Sequence, residues 1–140
     1  MNKVLVIGGG GREHAIVDAL SRSPQVSQIF CAPGNAGIAA QATLVNIKDT
    51  DVEGLLQFAK EQQIDLTVVG PEAALSVGVV DAFRAAGLPI FGHTKAATRI
   101  ESSKEFAKEI MMKYGVPTAG YRSFSDFDEA SFRLFRKEFE

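Results

Sequence analysis

The sequence predicts an α/β fold: an open parallel sheet covered by helices, followed near residue 100 by a separate, mainly helical segment. Three observations lead there. Short apolar runs alternate with amphipathic stretches through the first hundred residues, the pattern of repeated β–α–β crossovers. Runs such as "VLVI" and "TVV" are apolar throughout, as strands buried on both faces are. Beyond residue 100 the alternation stops and capped helical patterns replace it.

The elements follow in order. Residues 3–7 form the first expected strand. Residues 12–22 read as a helix with Ala15, Ile16, Ala19 and Leu20 as its apolar stripe. Residues 26–31 form a second strand leading into "APGNAG", and residues 43–47 a short third. Thr50 reads as a helix N-cap, with Glu53 completing a capping box. Val52, Leu55, Leu56 and Ala59 then recur at helical spacing. Residues 64–69 form a fourth strand, ended by "GPE" at 70–72. Residues 75–86 read as one helix closed by Gly87, and residues 88–91 as a fifth strand. Further on, Ser102 and Glu105 suggest another capping box, with Phe106, Ala107, Ile110, Met111 and Tyr114 as the stripe. Gly115 and Pro117 end that helix. "AGYRSF" reads as a short strand, and residues 126–140 as a last helix carrying Phe127, Phe132, Leu134, Phe135 and Phe139. The expected division is residues 1–101 and 102–140.

Composition narrows the functional class. The 140 residues are 46% hydrophobic and 23% charged, ordinary for a globular chain able to bury a core. A net charge of −2 without a basic block argues against a nucleic-acid or membrane surface. Cys31 is the only cysteine, so no internal disulfide forms. It reads as a small buried hydrophobe in a reducing compartment. The sequence shows no signal peptide and no run of transmembrane length, so the expected location is cytoplasmic.

The chemistry starts at "VIGGGGREHA". Ligands of open parallel sheets bind beyond the carboxyl ends of the strands. There Gly8, Gly9, Gly10 and Gly11 join the first strand to the first helix, letting the backbone turn and approach a ligand. The helix N-terminus offers unpaired N–H groups and partial positive charge, and Arg12 adds a cationic fork. A phosphate site is the expectation, with a Cβ at Gly10 expected to obstruct the turn or the ligand. A tight turn with close packing is the plainer alternative. A dinucleotide site fits worse. From Gly8, G-x-G-x-x-G demands glycine where Glu13 stands, and from Gly9 it demands glycine where His14 stands. The second strand also ends in "FCAPGN", with no acid for a ribose hydroxyl. Two further loops belong on the same rim: "PGNAG", with Gly34 and Asn35, and "GPE", with Pro71 and Glu72. Turn chemistry alone is their alternative reading. His14 and His93 read as structural or solvated, and no Cys/His spacing suggests a metal site.

"VLVIGGGGREHA", "APGNAG", "DLTVVGPEAAL", "GVVDAFRAAGLPIFG" and "SKEFAKEIMMKYGVPTA" together resemble the start of the phosphoribosylamine–glycine ligase family, also called glycinamide ribonucleotide synthetases. The resemblance weakens after about Ser125. It implies a Rossmann-like domain placed before an ATP-grasp domain. It also implies an activity in purine synthesis: glycine is joined to 5-phosphoribosylamine through a glycyl phosphate, with ATP giving ADP and phosphate and magnesium required. By resemblance, Gly8–Gly11 with Arg12 face the ribose phosphate, and Glu13, Asn35 and Glu72 wall the sugar and amine. Lys104 matches a lysine that approaches the nucleotide phosphates, although in this chain a solvated first-turn lysine is the favoured reading. One departure is "GGGGREHA" where "GSGGREHA" is expected. Family members are considerably longer, and the expected "VVKADG" strand, "AAGKGV" loop and magnesium ligands are absent here. The resemblance therefore implies a piece of the ligase, inactive alone, binding neither ATP nor magnesium by itself, and prone to self-associate through its Phe-rich C-terminal segment. The alternatives are a stand-alone phospho-sugar module and a dinucleotide-binding module.

Overall fold

A computed structural model describes residues 2–124 and 129–137. Five strands form one parallel sheet: β1 (Asn2–Gly8), β2 (Val26–Pro33), β3 (Thr43–Leu44), β4 (Leu66–Val69) and β5 (Ile90–Phe91). Their order across the sheet is β3-β2-β1-β4-β5. The central strand is β1, and Val4, Leu5, Val6 and Ile7 are all at most 2% exposed. Successive side chains of a strand point to opposite faces. Leu5 and Ile7 accordingly join Phe30, Leu55, Leu75, Val79 and Phe83 in one core layer, while Val4 and Val6 join Val17, Ile29, Cys31 and Ile38 in the other. Helices α2 (Val52–Glu61) and α4 (Val79–Ala85) supply the first layer, and α1 (Gly11–Ser21) the second.

Several boundaries differ from the sequence reading. The buried positions of α1 are Glu13 and Val17, one turn apart; Ala15 and Ala19 are exposed, and Ile16 and Leu20 pack at the margin. Asp51, not Thr50, caps α2: its carboxylate accepts the Gly54 N–H at 3.0 Å. Both residues are good caps, and only the backbone path decides which one sits before the first helical residue. The single helix expected over 75–86 is two helices. Pro71 starts α3 (Glu72–Ser76) early, and Gly78, in the left-handed region at φ +89°, separates it from α4. Gly87 (φ +72°) does close α4. Helix α5 (Lys95–Ser102) has no counterpart in the sequence reading, because Thr98 is its only buried residue and no apolar stripe marks it. A 3-10 turn at Ile38–Ala40 lies between β2 and β3.

The chain divides into two compact units, Met1–Ser102 and Ser103–Glu140. The second holds α6 (Lys104–Lys113) and α7 (Glu129–Lys137). Ser103, not Ser102, caps α6 by accepting the Phe106 N–H at 3.2 Å. Gly115 (φ +66°) ends the helix, with the Val116 N–H donating to the Met111 carbonyl. Residues 121–124 form no strand. Phe124 instead meets the Phe135 ring edge to face at 6.1 Å. Phe127 and Phe139, expected on the last stripe, lie outside the described residues. Among the described residues no helix is long and apolar enough to cross a membrane.

Candidate functional site: a rim of three loops

Because β1 lies between β2 and β4, their carboxyl ends meet at the middle of the sheet edge, where the strand order reverses. Three loops leave from there: Gly9–Gly10 toward α1, Gly34–Gly37 toward the 3-10 turn, and Gly70–Pro71 toward α3. The first two loops are hydrogen-bonded to each other, and the Gly70 N–H of the third donates to the Ile7 carbonyl of β1 at 3.1 Å. The Gly8 carbonyl accepts the Gly34 N–H at 3.0 Å and the Cys31 thiol at 3.3 Å. The Asn35 side-chain amide donates to the Gly9 carbonyl at 2.9 Å, and its oxygen accepts the Ile38 N–H at 3.0 Å.

The four glycines serve different ends. Gly8 holds the positive φ, +123°, whereas Gly10 has φ −94° and is the N-cap of α1. The sequence expectation had placed the critical turn at Gly10, and the backbone places it at Gly8. A Cβ at Gly9 would stand 2.6 Å from the Gly34 carbonyl oxygen, so here glycine permits backbone to approach backbone. Gly11 faces open space.

Glu13 was expected on the wall of the site, and the structure turns it inward. It is 4% exposed, and its carboxylate accepts the Gly10 N–H at 2.6 Å. This is half of a capping box, since Gly10 has no side chain to complete it. The carboxylate lies where Cβ atoms at Gly8 and Gly70 would stand, with Pro71 beside Gly8. Cys31, beneath the same loop, has its thiol pushed up from 9.0 to about 11, first by burial and then by the negative charge of Glu13.

Arg12 is exposed in the first turn of α1, on the rim. The His14 ring lies against Gly37. Pro71 and Glu72 start α3 and are half-buried. Sequence reasoning put these three loops, Gly70 included, on one rim but did not place Cys31 beneath them. Cys31 carries no local signal, since it reads as a core thiol. Lys104 opens α6 in the second unit and is exposed. His93 is exposed beside a cavity of about 190 Å³ with Arg84, Ile90 and Phe91, apart from the glycine loop.

A five-stranded parallel sheet of this order, with a glycine-rich first crossover, defines a Rossmann-like α/β domain. The fold is shared with an N5-carboxyaminoimidazole synthase from Aspergillus clavatus, solved with ADP and 5-aminoimidazole ribonucleotide. That structure superposes with TM-score 0.71 at 23% identity, over 98% of this chain and 36% of that one. Residues 2–101 match the family model described as phosphoribosylglycinamide synthetase, N domain, and the chain belongs to that family. It is 55% identical over 128 residues to a phosphoribosylamine–glycine ligase from Caldanaerobacter subterraneus, covering 91% of this chain and 31% of the relative. The crystal structure of phosphoribosylamine–glycine ligase from Thermotoga maritima is 30% identical, with TM-score 0.63, over 86% of this chain and 27% of that one. The chain thus spans less than a third of the length of these relatives.

Proposed function

We propose that this chain is the substrate-side domain of a ligase that joins glycine to 5-phosphoribosylamine while ATP becomes ADP and phosphate. The observation that carries the reading is the three-loop rim, in a chain 55% identical to a phosphoribosylamine–glycine ligase. In this reading the phosphate lies at the N-terminus of α1. The Gly11 and Arg12 N–H groups point out of the helix there, and the Arg12 guanidinium reaches the same phosphate. Partial positive charge at a helix N-terminus contributes about 0.3–1 kcal/mol, and charge-assisted bonds more. Gly8–Gly10 and Gly34 let the backbone come close, while Pro71 and Glu72 border the ribose and amine.

Ser103–Glu140 is assigned as the start of an ATP-grasp domain, with Lys104 directed to the nucleotide phosphates. ATP and magnesium belong to the complete ligase, which we place in the cytoplasm. Among the described residues no group of three or more His, Cys, Asp or Glu side chains could hold a metal ion. Phosphoryl transfer rests on positioning and on cations over the transferring group. By itself the chain accordingly binds the sugar phosphate and does not turn it over.

Chemical-shift titration with ribose 5-phosphate tests the reading. Shifts should map to Gly8–Glu13, Gly34–Asn35 and Gly70–Glu72. Shifts confined elsewhere, or ADP formed by this chain alone from phosphoribosylamine, glycine and magnesium–ATP, would refute it.

A further inference from the structure

We infer that Glu13 and Asn35 are positioning residues. They hold the β1–α1 loop against the other two loops so that the Gly11 and Arg12 amides face a sugar phosphate, and their side chains touch no ligand. The inference rests on the phosphate reading given above.

A helix N-terminus offers its first few N–H groups to an anion. In α1 the Gly10 N–H is already taken by the Glu13 carboxylate at 2.6 Å, which leaves the backbone N–H groups of Gly11, Arg12 and Glu13 for an anion. The carboxylate is 4% exposed and lies behind the loop, against Gly8, Gly70 and Pro71. A ligand on the rim meets the loop and not the acid. Where a dinucleotide fold uses a third glycine for close helix–sheet packing, this chain has Glu13, which wedges the β1 loop against the β4 loop.

Asn35 makes the matching tie on the other side. Its amide donates to the Gly9 carbonyl and accepts the Ile38 N–H, so one side chain joins the β1 loop to the 3-10 turn. That task needs a donor and an acceptor at fixed spacing. An aspartate would turn an acceptor toward the Gly9 carbonyl.

The test compares Glu13→Ala, Glu13→Gln, Asn35→Ala and Asn35→Asp with the unaltered 140-residue chain. It reads ribose 5-phosphate affinity by chemical-shift titration and amide exchange at Gly10 and in β1. Glu13→Ala, Asn35→Ala and Asn35→Asp should each weaken binding about tenfold, one lost polar contact's worth. Glu13→Gln keeps an acceptor of the same size and should restore most of the affinity and the protection of Gly10. Combining Glu13→Ala with Arg12→Ala should weaken binding by less than the product of the two changes, because the Arg12 contact depends on the loop. If Glu13→Ala fails to fold, Glu13→Gln and the Asn35 variants carry the comparison. Two results overturn the inference while the phosphate reading stands. One is a Glu13→Gln chain as weak as Glu13→Ala with Gly10 still protected, which would mean the carboxylate itself meets the ligand. The other is variants that bind normally although Gly10 exchanges fast. An unaltered chain that does not bind ribose 5-phosphate overturns the reading and the inference together.

Discussion

Gly9→Ala places a methyl carbon 2.6 Å from the Gly34 carbonyl oxygen, and two residues on, Gly11→Ala places one in open space. The glycine run therefore contains two positions with opposite expected outcomes. A carbon–oxygen contact relaxes at about 3.3 Å or more, so the β1 and β2 loops must part by about 0.7 Å. Both opposing groups are backbone, and neither can swing away as a side chain would. The separation stretches the Gly34 N–H to Gly8 carbonyl bond, now 3.0 Å, and the Asn35 amide to Gly9 carbonyl bond, now 2.9 Å. Overpacking costs about 1–3 kcal/mol and each weakened hydrogen bond about 0.5–1.5 kcal/mol. A loss of about 2–6 kcal/mol is expected for Gly9→Ala. Gly11 lies in the first turn of α1 without a positive φ, so alanine there should gain up to about 1 kcal/mol by restricting the unfolded chain. Urea unfolding followed by circular dichroism measures both. With slopes of about 1–3 kcal/mol per molar, the Gly9 variant should unfold at least about 0.7 M earlier than the Gly11 variant. Equal midpoints, or a Gly11 variant weaker than the Gly9 variant, would refute close backbone approach as the reason for Gly9.

Three further outcomes follow from the structure. Cys31 has its folded-state pKa raised from 9.0 to about 11, so the neutral thiol is the form the fold favours. Its contribution is complete below pH 9 and is lost as pH rises through 11, about 2–3 kcal/mol in all. Stability measured across that window should fall more steeply for the unaltered chain than for Cys31→Ala, and parallel curves would remove the thiol from the account. Asp51→Ala should cost about 1 kcal/mol through loss of the α2 cap, and Thr50→Ala less than about 0.5 kcal/mol; the reverse order in thermal melts would return the cap to Thr50. In the second unit Met112, Tyr114, Val116, Phe132 and Leu134 are between 45% and 69% exposed. Light scattering should find that the full chain self-associates and that a chain ending at Gly120 does so less; two monomers at high concentration would contradict this.

The sequence by itself determined the parts whose cause is local. Strand β1 is legible because Val4–Ile7 are all apolar, and a run of that length next to glycines has few alternatives to a buried parallel strand. The carboxyl-end loops were legible for the same reason: "GGGG", "PGNAG" and "GPE" each interrupt a strand, and parallel topology puts such interruptions on one edge. Gly87 and Gly115 ended their helices as read, since a left-handed residue after a helix is a property of a few neighbouring residues. Tertiary structure decided what depends on residues far apart in the chain. Whether Asp51 or Thr50 capped α2, and whether residues 75–86 bent at Gly78, depended on how each helix met the sheet. Glu13 is the clearest case. The family resemblance implied a wall residue near the sugar and amine, yet the space left by Gly8 and by the distant Gly70 draws its carboxylate inward onto the Gly10 N–H. A sequence lists donors, acceptors and missing side chains, but only the folded chain brings a carboxylate from one loop into the gap left by a glycine in another.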